Sequence, residues 1–118
     1  MKYMLLIYID EHTLSETERE ACYVESTQLA REIKSSGQYL AANPLQPTSM
    51  ATSVRVRDGK RFVTDGPFAE TREQLGGYFL IDAKDLDTAI GIAARIPMAC
   101  KGTVEIRPVF EIASLPTE

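Results

Sequence analysis

Two stretches of this chain are apolar on both sets of alternating side chains. In residues 2–9, Tyr3, Leu5, Ile7 and Ile9 fall on one set and Met4, Leu6 and Tyr8 on the other. Gly77–Asp82 repeats the pattern with Tyr78, Phe79, Leu80 and Ile81. A strand apolar on both faces is predicted to be covered on both. Thr52–Arg57 alternates instead, with Val54 and Val56 on one face and Ser53, Arg55 and Arg57 on the other. Asp58-Gly59 then turns the chain into Arg61–Thr64, a strong hairpin signal. Thr103–Phe110 is predicted as the last strand, with Val104 and Ile106 opposite Glu105 and Arg107. Gln38–Ala42 reads as a short strand, followed by a loop at Asn43-Pro44-Leu45-Gln46-Pro47, since two prolines do not sit in a central strand.

Helical spacing separates these strands in two places. Ser15-Glu16-Thr17-Glu18 has the form of a capping box opening a long helix. Cys22, Leu29, Ala30 and Ile33 recur at helical spacing, and Gly37 supplies the stop. Asp85 caps a second helix, whose predicted apolar stripe is Leu86, Ala89, Ile90, Ala93 and Ile96, ended by Pro97. The order strand, helix, several strands, helix, strand predicts an α+β sandwich. It is ferredoxin-like, with a mainly antiparallel sheet, two helices on one face and an extra β-hairpin. Two helices cover one face only. A second copy, pairing sheet to sheet as a homodimer, is the expected cover for the open face, and the loop at 43–50 is the rival.

Composition narrows the function classes. At 118 residues, one domain over 1–113 with a frayed tail at 114–118 is expected. Hydrophobic residues at 44% and charged residues at 25% are ordinary globular usage. The formal net charge of −4 offers no general attraction to phosphate backbones or anionic membranes, so no direct nucleic-acid or membrane partner is expected. The apolar run after Lys2 stops at Asp10-Glu11 with no small-residue cleavage site, so it reads as a strand and not a signal peptide. Cys22 and Cys100 lack a CxxC partner, which points to neither a disulfide framework nor a zinc site. The cytoplasm is the expected compartment, and no metal or cofactor is expected.

The unusual stretch is Thr64-Asp65-Gly66-Pro67-Phe68-Ala69-Glu70-Thr71. Gly66 permits backbone angles closed to other residues, and Pro67 is pre-set for the first position of a short helical turn. Turn chemistry explains every residue type in it, with Asp65 hydrogen-bonding the amides that follow. A loop holding a carboxylate, a glycine and an aromatic is also a common carrier of binding groups. Val63–Tyr78 resembles the signature of the DGPF-type proteins of the YCII-related family. Met1–Tyr8, Val54–Gly59, Arg95–Pro97 and Val104–Val109 resemble that family's first strand, hairpin, second helix end and last strand.

This resemblance implies a ferredoxin-like, usually dimeric protein (the dimeric α/β-barrel type), without an established activity. Enzyme function is implied in the wider family by a histidine and an aspartate in a cleft. A role near transcription initiation is implied by relatives fused to, or encoded beside, sigma factors of the extracytoplasmic type. Asp65 is the aspartate of the motif. The histidine belongs on the first helix, where this chain has Cys22 and Tyr23 instead.

Asp65 is the candidate acid/base, for which burial would have to raise its pKa. Gly66, Pro67, Phe68, Glu70, Tyr78, Arg55 and Arg107 are the candidate ligand-binding residues. Arg55, Arg57, Glu105 and Arg107 share the side opposite the valines and isoleucines. An arginine there suits a small anionic ligand, or an ion pair with Glu105 or a partner chain. Glu70 and Glu73 are expected on a short helical turn as a solvated face. His12, the single histidine, lies in a loop and reads as solvated. Cys22 and Cys100 read as small buried hydrophobes. Three functions remain open: a small-molecule-binding or regulatory module, an enzyme using Asp65 in a dimer-interface cleft, and a structural dimer whose motif serves folding.

Overall fold

The computed structural model describes residues 1–116, so Thr117 and Glu118, the end of the expected frayed tail, lie outside the described residues. The first apolar run is β1 (Lys2–Ile9), and its alternation is resolved into sides. Tyr3, Leu5, Ile7 and Ile9 are buried, while Met4, Leu6 and Tyr8 are half-buried. β1 lies between β5 (Gln74–Asp82) and β6 (Thr103–Pro108), antiparallel to both. β2 (Tyr39–Pro44) completes the four-stranded sheet, whose order is β2-β5-β1-β6. β2 runs two residues beyond its predicted end, through Pro44. It is an edge strand, and a proline there removes no ladder hydrogen bond from a neighbour.

α1 (Glu16–Ser35) opens on the predicted capping box: Ser15 Oγ accepts from the Glu18 amide at 3.1 Å, and Glu18 Oε1 accepts from the Ser15 amide at 3.2 Å. Its end is a Schellman motif. Gly37, at φ +79°, lets the Gln38 and Gly37 amides donate to the Ile33 and Lys34 carbonyls. α2 (Leu86–Ala94) starts on Asp85, whose carboxylate accepts from the Thr88 amide at 2.8 Å. Its buried stripe is Ala89, Ile92, Ala93 and Ile96, rotated from the predicted one, and Leu86 and Ile90 face solvent. Both apolar lines share Ala89 and Ala93, and packing turns the helix so that Ile92 meets the core in place of Leu86 and Ile90. Both helices cover the same face, over a core that includes Leu5, Leu29, Ile33, Phe79, Ile81 and Ile96. With β1-α1-β2 and β5-α2-β6 each spanning an intervening strand, the chain is an α+β, ferredoxin-like sandwich.

β3 (Thr52–Arg57) and β4 (Lys60–Asp65) form the extra hairpin, a separate two-stranded sheet inserted between β2 and β5. Its turn holds Asp58 at φ 52° and Gly59 at φ 73°, the positive pair that a tight hairpin demands. Val54, Val56, Phe62 and Val63 are all exposed. The valines of β3 therefore do not face the helices, and Arg55 and Arg107 sit on different sheets instead of one shared face. Only Val104 and Ile106 of β6 pack on the core.

Candidate functional site

The inward face of α1 is not uniformly bulky. Between the buried Cys22 and the buried Leu29 and Ile33, the intervening inward positions carry Ser26 and Ala30. Opposite them the sheet also carries small residues, Ala42 on β2 and Gly76-Gly77 on β5. Small against small cannot fill the space at normal interior density. A pocket of about 560 Å³ results, between α1 and the β2–β5–β1 part of the sheet. Ile7, Ile9, Tyr39, Phe79 and Met98 also line it. Gly77 further allows β2 to come close, since a Cβ there would stand 3.1 Å from the Asn43 carbonyl oxygen.

The rim is polar. Arg19, Glu11, Tyr23, Thr27 and the segment Asn43–Pro47 border the pocket. Glu11 is committed to that segment's far end: its carboxylate accepts from the Thr48 amide at 3.3 and 3.4 Å and from the Thr48 hydroxyl. The Glu11 amide in turn donates to Gln74 Oε1 at 3.1 Å. Leu45 is anchored by its amide to the Gly76 carbonyl at 2.9 Å. The loop over the pocket is thus tied at both ends. Burial pushes the Cys22 thiol above its ordinary pKa, so it stays neutral and is no nucleophile at physiological pH.

Of the candidate acid/base and ligand-binding residues, Tyr78 alone borders this pocket. Its hydroxyl accepts from Asn43 Nδ2 at 3.1 Å. Asp65 ends β4, exposed, and among the described residues its carboxylate makes no hydrogen bond or ion pair. The amide contacts around it are made by others: the Gly66 amide donates to the Ala51 carbonyl at 2.7 Å, and Ser53 Oγ donates to the Gly66 carbonyl at 2.8 Å. Gly66 itself has φ +99°, which accounts for the glycine. No helical turn follows Pro67. Residues 66–73 run as bends and coil instead, so Glu70 and Glu73 do not share a helical face. Glu70 is exposed, whereas Glu73 Oε1 accepts from Thr103 Oγ1 at 2.9 Å, tying the loop's end to β6.

Phe68 is 74% exposed and carries the Arg55 guanidinium over its ring at 4.7 Å. Arg107 lies on the open sheet face, 3.9 Å from Glu105, an exposed pair of small energetic weight. His12 is exposed, its amide donating to Asp10 Oδ1. Cys100 is exposed, where burial was expected from its residue type. Among the described residues, no three His, Cys, Asp or Glu side chains gather as a metal site would need. No described helix is long and apolar enough to cross a membrane.

Arg19, Ser26, Thr27 and Glu11 are the pocket residues that residue type alone did not mark. For those on α1 the signal is positional, small or polar side chains on its pocket-facing side, and Glu11, in the turn before the helix, carries no such signal.

Fold and site together define a ferredoxin-like α+β protein with a partly open pocket beneath its first helix. The chain belongs to the YCII-related family, whose domain matches residues 1–113. It is also similar to a curated protein of Rhizobium meliloti (strain 1021), described as uncharacterized, at 36% identity over 114 residues and 92% of each chain. Cys22 and Tyr23, which stand where the wider family's helical histidine was expected, both line the pocket.

Proposed function

We propose that this chain is a small-molecule-binding module whose site is the pocket between α1 and the sheet. One observation carries the reading: 560 Å³ of space held open by facing small residues inside an otherwise packed frame. That volume is in the range of ligand pockets (about 300–1,000 Å³), with an apolar interior and few polar rim groups. Membership of the DGPF-motif subgroup would make the role regulatory, beside sigma factors in the cytoplasm. The assembly proposed with it is a homodimer through the open sheet face, where Met4, Leu6 and Leu80 remain half-buried. The alternative, an enzyme using Asp65 as acid/base in a dimer-interface cleft, draws on the motif and not on the pocket, which Asp65 does not line.

The test is a fragment screen read by amide chemical shifts of the labelled protein. Binders are expected to move Ser26, Thr27, Ala30, Gly76 and Gly77 together. Ser26→Leu should fill the pocket, keep the fold and abolish those shifts. Binders that move only residues 64–71, or none that move the pocket in the wild type, would reject the reading.

A further inference from the structure

We propose that the ligand of this pocket is an amphiphilic monoanion, an apolar, ring-bearing body with one carboxylate-type head held by Arg19. The inference rests on the binding reading above and specifies the ligand class for that same site. The interior decides the body. Ile7, Ile9, Ala30, Phe79 and Met98 line it, and no polar or charged residue of the described chain is fully buried. A polar group placed against these apolar side chains would lose its water and find no partner among them, at a cost of about 1–3 kcal/mol by mutational measures. Phe79 and the rings of Tyr23 and Tyr39 add flat surfaces that suit a ring.

The rim decides the head. Two of its groups are formally charged, Glu11 and Arg19. Glu11 is used up by the amide and hydroxyl of Thr48. Glu18, next to Arg19 in sequence, is held by Lys101 at 3.0 Å. Arg19 is half-buried and makes no ion pair among the described residues. A guanidinium in that state, carried on the second turn of a capped helix, is positioned for a two-pronged contact with a carboxylate. The chain's net charge of −4 gives anions no general welcome, so selectivity for one falls to Arg19.

The experiment uses two isosteric probes, 2-naphthoate and neutral 2-naphthamide, titrated calorimetrically, with amide shifts locating each. The wild type is expected to bind naphthoate on the order of tenfold tighter or more. Arg19→Gln should bring naphthoate down to the naphthamide affinity and leave naphthamide unchanged, while Arg19→Lys should retain part of the preference. Equal affinity of the wild type for both probes, with the shifts still at Ser26, Thr27 and Ala30, overturns the ligand class and leaves the pocket reading standing. A preference that survives Arg19→Gln does the same. If neither probe at millimolar concentration moves those amides, the pocket reading falls and this inference with it.

Discussion

The region under α1 and the region around the hairpin hold their side chains in opposite ways. In the helix-covered core, Leu5, Ile81 and Ile96 are fully buried, and beside that core, under α1, a pocket persists because the residues facing it are small. In the hairpin and the loop after it, Val54, Val56, Phe62, Val63 and Phe68 are large and exposed. The first region is built by packing with deliberate shortfalls, the second by turn chemistry. Truncation should therefore separate them sharply. Leu5→Ala or Ile81→Ala is expected to cost about 2–5 kcal/mol in urea unfolding, and Val54→Ala no more than about 0.5 kcal/mol. Comparable losses in dilute protein would show that the hairpin is packed in solution and would erase the contrast.

Glycines sharpen the same contrast. At Gly102, where the chain enters β6, a Cβ would stand 2.0 Å from the Tyr8 carbonyl oxygen, so β1 and β6 meet there only around a bare Cα. Gly102→Ala should lower stability by about 1–3 kcal/mol, the usual range for overpacking, visible as a lowered melting temperature. Gly66 meets nothing within 4 Å and is required only by its positive φ. Next in size comes Asp65→Ala, which removes a carboxylate with no partner among the described residues and should shift stability by less than about 0.5 kcal/mol. A melting-point loss typical of a broken cap would mean that Asp65 does hold the turn. Loss of probe binding at the pocket would couple the two regions.

Legibility followed the same division. The elements with strong local chemistry could be read directly: the Ser15–Glu18 capping box, the Gly37 stop, the Asp58-Gly59 turn and the two-faced strands. The ferredoxin-like order followed from them. What could not be read was any feature decided by partners distant in sequence. The valines of β3 alternate as a core-facing strand would, yet their ladder partner is β4, and among the described residues no second layer covers them. The stripe of α2 had two possible phases, and the sheet chose between them. The pocket was the least legible feature, because its signal is Ser26 and Ala30 facing Ala42 and Gly76-Gly77, a match between three separate elements that no local pattern contains. The eye goes instead to Thr64–Thr71, where every residue is conspicuous and none lines the pocket.

The smallest expected effect concerns the clasp that closes the first region, where Lys101, in the turn before β6, reaches Glu18 in the first turn of α1. The Lys101 ammonium, with help from Ser15, holds the Glu18 carboxyl down at about 2, against an ordinary 4.5. Glu18 in turn raises Lys101. A carboxyl whose folded pKa is depressed contributes stability that is fully present above its unfolded value and is lost as pH falls through the folded one. The Glu18 contribution should therefore fade between pH about 4.5 and about 2. The ammonium contribution has the opposite sense, present below its ordinary value of 10.5 and lost as pH rises beyond it. Both groups are exposed, so added salt should shrink the effect. Glu18→Gln is expected to flatten the acid limb of the melting temperature against pH, and Lys101→Met to flatten it as well. An acid limb as steep in Glu18→Gln as in the wild type would place the titrating group elsewhere and leave α1 held on the sheet by its buried stripe alone.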